Sequence, residues 1–330
     1  MSVTLRWGIL GTSFISHVVV DAILKSPGSS AHAAFGRDPA TLSAFTEKFA
    51  IKKSYDTIES LLDDGEVDVV YVGLPSHLHH DAVVAAAKRG KPVLSEKSPC
   101  TTMEDAVSMS KACRDAKIFF LEGLMYLCHP LMEKVTEIVR SGDLGQLRSL
   151  NGHYAANIWQ KANPLGLGTI YNLGCYPVSL THFIMETAFG PEAFQRRHVQ
   201  GSGNRSTSSN TIQDASLVVR FDNGVLANVF STDSYGNDFE FTVMGDKAVM
   251  RFKTNPWLPV SGDNIIEIKP YGGSTRQFIV KGAYDAFGYQ IRKVEDLIKA
   301  GRLEASRPSP NLTQSVEIMG LLTEWEHSIA

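Results

Sequence analysis

The chain has 330 residues, 43% of them hydrophobic and 20% charged, with a formal net charge of −3. That is enough chain for two domains, and the composition excludes a disordered polymer. The slightly acidic balance excludes a basic nucleic-acid footprint, and no apolar run reaches the length of a membrane span.

The first 125 residues alternate two periodicities. MSVTLRWGILGTS has a short apolar run leading into glycine, without the long hydrophobic stretch of a signal peptide, so LRWGIL (5–10) reads as a first strand. Ile15, Val19, Ile23 and Leu24 then fall at helical spacing. AHAAFG (31–36) is a second strand, and DPATLSAFTEKFA a helix with Asp38 as N-cap and Pro39 at its first position. TIESLLDD is a short helix. VDVVYVGL (67–74) is β-branched and nearly continuous, the pattern of a parallel strand buried on both faces. HLHHDAVVAAAKRG is a helix closed by Gly90, PVLS (92–95) a strand, and TTMEDAVSMSKACRDA a helix with Thr102 and Asp105 as capping box. KIFFLEG ends the series. Strands separated by helices of this length predict βαβ units and a parallel, doubly wound sheet, an α/β fold.

YLCHPLMEKVTEIVRSG is a helix with Leu127, Leu131, Val135, Ile138 and Val139 as its apolar positions. Beyond it the period changes. RSLNGHYAANIW predicts a strand and TIYNLGCYPVSLTHFIME a helix. ASLVVRF, VLANVF, FEFTVM, AVMRF, NIIEIK and RQFIV then alternate, with FDNG and MGDK as hairpin turns, which predicts a mostly antiparallel sheet and an α+β second domain. AFGYQIRKVEDLIKAGR and SVEIMGLLTEWEHSIA are closing helices. GSGNRSTSSN (201–210) reads as a loop excursion. The expected domains are 1–123 and 124–330, with the C-terminal helices able to fold back onto the first. Four cysteines (Cys100, Cys113, Cys128, Cys175) form no CxxC pair and read as reduced thiols of a cytoplasmic protein.

The turn after the first strand is Gly11-Thr12-Ser13-Phe14-Ile15-Ser16. It keeps one glycine of the dinucleotide fingerprint G-x-G-x-x-G, with Ser13 and Ser16 in the other places. Its position at a helix N-terminus suits a pyrophosphate. The second strand ends in Phe35-Gly36-Arg37-Asp38. Asp38 serves as a helix cap, and Arg37 suits a 2′-phosphate, which favours NADP over NAD. Leu74, Pro75, Ser76 and His79 follow the strongest strand, at the carboxyl edge where open α/β sheets bind ligands, and Ser95-Glu96-Lys97 end the next strand on the same edge. His77, His79 and His80 lack an acidic or thiol partner at metal spacing, so no metal is expected.

WGILGTSFIS, FGRD, VDVVYVGLPSHLHH, GKPVLSEKS, LEGLMYLCHP, SGDLGQL and NLGCYPVS together resemble the glucose–fructose oxidoreductase / inositol dehydrogenase / MocA family over nearly the whole chain. The nearest branch is that of dihydrodiol and D-xylose dehydrogenases, where a tyrosine stands at the position of Tyr176. The resemblance implies a Rossmann domain, a second domain with a large open sheet, and hydride transfer at a nicotinamide. It implies Lys97 near the reacting oxygen, Tyr176 as acid/base, and Glu96 orienting Lys97 or touching the nicotinamide ribose. The residue types suit this chemistry, because a neighbouring ammonium favours a phenolate that can take a hydroxyl proton. Asn157 and Trp159, with His153 and Lys161, are candidates to line the substrate pocket, together with Asn172.

The chain departs from the family at several places. Ser98 stands where proline follows the lysine, Leu127 where arginine is common, Asn172 in place of aspartate, and Ser179 in place of a second acid. The sequence thus reads as a site that has lost carboxylates. The expected substrate is a sugar, cyclic polyol or keto-sugar. The alternatives are a reductase of a non-sugar substrate such as an aromatic dihydrodiol, and a non-catalytic NADP-binding regulator. A homodimer through the uncovered sheet face is expected, with a tetramer as the larger alternative, and no nucleic-acid or membrane partner.

Overall fold

The computed structural model describes residues 4–161 and 164–329, the side chains of Lys161 and Pro164 excepted. The chain divides into two compact units, Met1–Met125 with Phe287–Val316, and Tyr126–Ala286 with Glu317–Ala330.

The first unit runs β1 (Leu5–Leu10), α1 (Phe14–Lys25), β2 (Ser29–Phe35), α2 (Pro39–Phe49), β3 (Lys53–Tyr55), α3 (Ile58–Leu62), β4 (Val69–Val72), α4 (His79–Lys88), β5 (Val93–Ser95), α5 (Met103–Asp115) and β6 (Phe120–Glu122). The six strands pair in parallel in the order β3-β2-β1-β4-β5-β6. The strand order reverses between β1 and β4, which makes the crevice at their carboxyl ends the expected ligand position. Every residue of β4 is buried, as its unbroken β-branched run requires. The helices start where the sequence places their caps. Asp38 accepts the Thr41 N–H at 2.7 Å, and Thr102 accepts the Asp105 N–H at 3.1 Å. The edge strand β3 has only three residues, none of them buried, so no hydrophobic pattern announces it.

Residues 287–316 belong to this first unit. Glu295 accepts hydrogen bonds from Ser26 and Ser29, both at 2.6 Å. The Phe120 N–H donates to the Leu303 carbonyl at 3.0 Å.

The second unit holds α6 (Pro130–Ser141), β7 (Leu147–Ala156), α7 (Cys175–Phe189), β8 (Arg197–Arg205), β9 (Ile212–Phe221), β10 (Leu226–Thr232), β11 (Asn237–Gly245), β12 (Ala248–Phe252), β13 (Gly262–Pro270) and β14 (Arg276–Gly282). Two helices close the chain, α8 (Ala286–Lys299), almost all of it in the first unit, and α9 (Leu312–His327), divided between the two. The sheet order is β14-β13-β12-β11-β7-β10-β9-β8. All neighbours are antiparallel except β7 and β10, which run parallel. Gly152 on β7 makes room for the Phe241 ring and for α7, because a Cβ there would strike Phe241 and stand 3.2 Å from Pro177 Cβ.

One expectation is corrected. The stretch 201–210 is not a loop throughout, because Arg197–Arg205 forms the edge strand β8. Its glycines supply clearance. A Cβ at Gly201 would strike Ser328 Oγ and stand 3.0 Å from Trp325 Cδ1, and one at Gly203 would stand 2.8 Å from the Asp214 carbonyl. Without side chains at alternate positions the strand period vanishes from the sequence. The turn itself closes where the Ser206 N–H donates to the Thr211 carbonyl at 2.8 Å. Among the described residues no helix is long and apolar enough to cross a membrane.

Candidate functional site

In the first unit the candidate residues gather at the carboxyl edge of the parallel sheet. Gly11 has φ +103°, and a Cβ there would stand 2.7 Å from the Gly73 carbonyl, so glycine alone fits the turn. Ser13 occupies the N-cap of α1 with extended backbone but makes no side-chain cap. Its hydroxyl donates instead to the Gly73 carbonyl at 3.1 Å and lies 3.3 Å from Ser16 Oγ. Ser16 is buried and Phe14 is 65% exposed. Ser13 thus gives α1 no side-chain cap, and a helix N-terminus at this turn fits an anionic group such as a pyrophosphate. Thr12 and Ile15 complete this turn, half-exposed. Arg37 is exposed just past β2 and forms no salt bridge among the described residues, so its guanidinium is open to a phosphate.

The β4 and β5 ends are tied together. The buried His79 ring faces the Leu74 carbonyl at 2.7 Å and the Ser98 carbonyl at 2.9 Å, and burial pushes its imidazole down to about 4 despite those two acceptors. His79 therefore holds the loops carrying Leu74, Pro75, Ser76 and Lys97. Glu96 is 6% exposed and accepts from the Tyr71 hydroxyl at 3.0 Å. Burial raises its carboxyl, opposed by the charge of Lys97 and the Tyr71 bond. Lys97 is half-buried, and the Lys97–Ser98 peptide is cis. Glu122 pairs in register with Ser95 at the end of the neighbouring strand, 1% exposed. Burial pushes it up to about 7, while Ser315 Oγ donates to one of its oxygens at 2.6 Å.

In the second unit Tyr176 lies on the first turn of α7, 6% exposed, directly after a π-helical turn over Ile170–Gly174 that carries Asn172. Its ring belongs to an aromatic cluster. Tyr154 meets it edge-on at 5.3 Å, Tyr126 lies at 5.8 Å and Trp257 at 6.1 Å. The Tyr126 and Ser179 hydroxyls are 2.7 Å apart and both reach the Tyr176 carbonyl, at 3.2 and 3.0 Å. Ser179 is thus occupied in anchoring the turn that presents Tyr176. Burial raises the Tyr154 phenol to about 12. Asn172 Nδ2 lies 3.4 Å from Asp233 Oδ2. Asn157 and Trp159 are exposed beyond the end of β7, Trp159 to 51%.

Two family matches cover most of this architecture: an oxidoreductase family with NAD-binding Rossmann fold over residues 5–123, and the GFO/IDH/MocA C-terminal domain over residues 132–251. D-xylose 1-dehydrogenase (NADP(+)) 2 of Haloferax volcanii is 30% identical over 321 residues, 96% of this chain and 94% of that protein. The chain belongs to the GFO/IDH/MocA oxidoreductase family. Trans-1,2-dihydrobenzene-1,2-diol dehydrogenase of Bos taurus is 24% identical over 98% of the chain and 97% of its own length. The same fold is found in KijD10, a 3-ketoreductase from Actinomadura kijaniata in complex with NADP and TDP-benzene, with a TM-score of 0.87 at 20% identity over 99% of this chain and 98% of that one.

Within this GFO/IDH/MocA chain one sequence expectation needs correction. His153 does not share a face with the Tyr176 cluster. Side chains alternate along β7, and Gly152 and Tyr154 take the α7 side. His153 lies on the opposite face with Asn151, in a groove that also holds Phe230 and Glu240. Near Asn172, Asp233 Oδ2 lies 3.4 Å from the side-chain amide. Lys161 falls outside the described side chains. Reading from sequence missed Tyr126, although its stretch was singled out. It also missed Trp257, which comes from a proline-flanked loop with no periodicity, and Asp233, one residue past a strand end. The strand alternation at Tyr154 was the one signal available for that residue.

Three-membered groups of metal-ligating side chains occur among the described residues at His32–Asp64–Glu66 and His182–Glu186–Glu317, and neither includes His77, His79 or His80. Lys53 fills the first, 3.1 Å from Asp64 and 2.5 Å from Glu66. In the second, the fully buried His182 ring is clasped by Glu317 at 2.7 Å.

Proposed function

We propose that this protein transfers a hydride between NADP and a sugar, cyclic polyol or keto-sugar. The observation that carries the reading is the likeness, over nearly the full length of both chains, to a D-xylose 1-dehydrogenase whose name specifies NADP. The open Arg37 guanidinium past β2 supports NADP, and the N-terminus of α1 with the Gly11 turn supports a bound pyrophosphate. The nicotinamide, when bound, accepts or returns the hydride. Thr12, Ser13, Phe14, Ile15, Leu74, Pro75, Ser76 and Glu96 hold the cofactor, with His79 setting the loops.

In oxidation the substrate hydroxyl gives its proton to Tyr176 as its carbon gives up hydride, leaving a carbonyl. Lys97 places a positive charge at the same oxygen, and in reduction Tyr176 returns the proton. Asn157, Trp159 and Asn172 bind the substrate. The protein works in the cytoplasm as a homodimer. Four free cysteines, three of them buried, suit a reducing compartment. The uncovered sheet face exposes Val218 to 46% and Ile279 to 56%, which suits a second copy.

A second reading has its own support. The aromatic surroundings of Tyr176 suit a ring substrate, and a dihydrobenzenediol dehydrogenase is a full-length relative. Cofactor reduction followed by near-ultraviolet absorbance, with NADP and NAD in parallel against aldoses, cyclic polyols and aromatic diols, decides between them. Turnover of an aldose with NADP is the expected result. Turnover of aromatic diols alone selects the second reading. Tight NADPH binding with no turnover of any alcohol or ketone in the panel rejects both in favour of a cofactor-binding regulator.

A further inference from the structure

Strands β5 and β6 end side by side, with Ser95 in register with Glu122. The chain past them is packed together. The Gly123 N–H donates to the Ser95 carbonyl at 2.7 Å, and a Cβ at Gly123 would stand 3.1 Å from Glu96 Cα and 3.4 Å from its carboxyl carbon. Two buried carboxyl groups, Glu96 at 6% and Glu122 at 1% exposure, therefore stand at one sheet edge with Lys97. They are not held alike. Glu96 accepts from the Tyr71 hydroxyl at 3.0 Å and from the Lys97 backbone N–H. Glu122 accepts from Ser315 Oγ at 2.6 Å through one oxygen, and its other oxygen, Oε1, is buried with no hydrogen-bond partner among the described residues.

Two buried carboxylates beside one ammonium do not both ionise readily. Glu96, with two donors, is the better-held anion. Glu122 keeps its proton longer, because burial and then the charge of Glu96 push it up to about 7 against the Ser315 bond and the charge of Lys97. Around this edge the Cys100 thiol is pushed up by burial and the His79 imidazole down to about 4, so both are neutral near that value. Glu304, bridged to Phe120 at the start of β6, has Arg114 3.8 Å away to balance it. Glu122 is thus the group whose change of charge near neutrality bears on Lys97. We propose that Glu122 is a positioning residue for Lys97: as a neutral acid it leaves the ammonium facing the Glu96 carboxylate, and as a carboxylate it draws that charge away from the substrate oxygen. This rests on the reading above that Lys97 serves at that oxygen, and it adds a control by pH.

The test compares the full-length wild type with Glu122→Gln, which fixes the neutral form, from about pH 6 to about pH 8.5, on either side of the value near 7. The infrared difference between the two proteins shows the carbonyl band of a protonated acid at the low end, and the band fades at the high end. In protein whose lysines carry 13C-labelled methyl groups, the resonance assigned to Lys97 by its loss in Lys97→Arg moves over that range in the wild type and stays still in Glu122→Gln. With NADP and D-xylose, kcat/KM of the two proteins agrees at the low end. At the high end the wild type falls to about a third to a thirtieth of the variant, the scale of one added charge at ~10 Å in a protein medium. A merely structural role leaves that ratio constant. A constant ratio, an absent acid band, or a Lys97 resonance that moves alike in both proteins overturns the proposal. If the variant does not fold, a wild-type Lys97 resonance that stays still over the range overturns it. Absence of turnover with D-xylose and every other aldose overturns the activity reading alone, and the Lys97 resonance then decides whether Glu122 acts on it.

Discussion

Tyr176 is a phenol held by its surroundings. Tyr126 and Ser179 fix its backbone, and Tyr154 and Trp257 confine its ring. Replacing Tyr176 by Phe keeps that packing and removes the hydroxyl proposed to carry the proton. Turnover is expected to fall about a hundredfold with NADPH affinity preserved, measured by steady-state kinetics and fluorescence titration. Near-wild-type turnover rejects the role. Arg37→Ala removes an exposed charge that packs no core, so it is expected to weaken NADPH binding far more than NADH binding. Equal losses would remove Arg37 from cofactor choice. Glu122 makes a prediction about stability. Its folded value of about 7 lies above the ordinary carboxyl value of 4.5. Between those values the folded state keeps a proton that the unfolded chain has released, so this group's contribution to stability falls as pH rises from 4.5 to about 7. Gln in its place has no proton to lose. Glu122→Gln is expected to melt near the wild type at pH 4.5 and above it beyond pH 7, and a constant difference across that window would contradict the assignment.

At the scale of elements, caps and clearances decide where helices and strands lie. Asp38 closes the first turn of α2 through the Thr41 amide, and Thr102 does the same for α5. The edge strand β8 depends on absence of side chains, because Trp325 and Ser328 of the C-terminal segment occupy the space a Cβ at Gly201 would need. Gly201→Val is therefore expected to destabilise the protein by about 1–3 kcal/mol, the cost of overpacking, and to lower the melting temperature. Gly65→Val, where nothing lies within 4 Å of the added Cβ, is the control and is expected to change much less. Equal effects at the two glycines would mean that backbone freedom, not clearance, is what Gly201 supplies. The π-turn over Ile170–Gly174 has a similar local consequence. It shifts the helical register ahead of Tyr176 and carries Asn172 next to Asp233.

At the scale of the whole molecule, the eight-stranded sheet leaves one face mixed in character. Along β10, Leu226 and Asn228 are exposed and Phe230 is half-buried, while Ala227 and Val229 are buried. A second copy laid on that face would cover Val218 and Ile279 as well. Light scattering after size exclusion is expected to give the mass of a dimer, and a monomeric mass over a wide concentration range refutes the proposal.

Much of this molecule is legible from local pattern. The strand–helix alternation, the caps at Asp38 and Thr102, the glycine that turns the chain at residue 11 and the lysine at a strand end all follow from short-range sterics, hydrogen bonding and burial periodicity, which a few neighbouring residues encode. Tertiary structure decided the rest. Which face of β7 meets α7 depends on strands that pair across the sequence, as when Asn228 bonds Asn151 from 77 residues away. The strand at β8 is hidden by glycines whose reason is a helix more than a hundred residues later. Trp257 and Asp233 reach the surroundings of Tyr176 and Asn172 from a loop and a strand end, where no period marks them. Short-range rules write the elements into neighbouring residues, whereas a site gathers side chains from distant ones, and only packing brings those together.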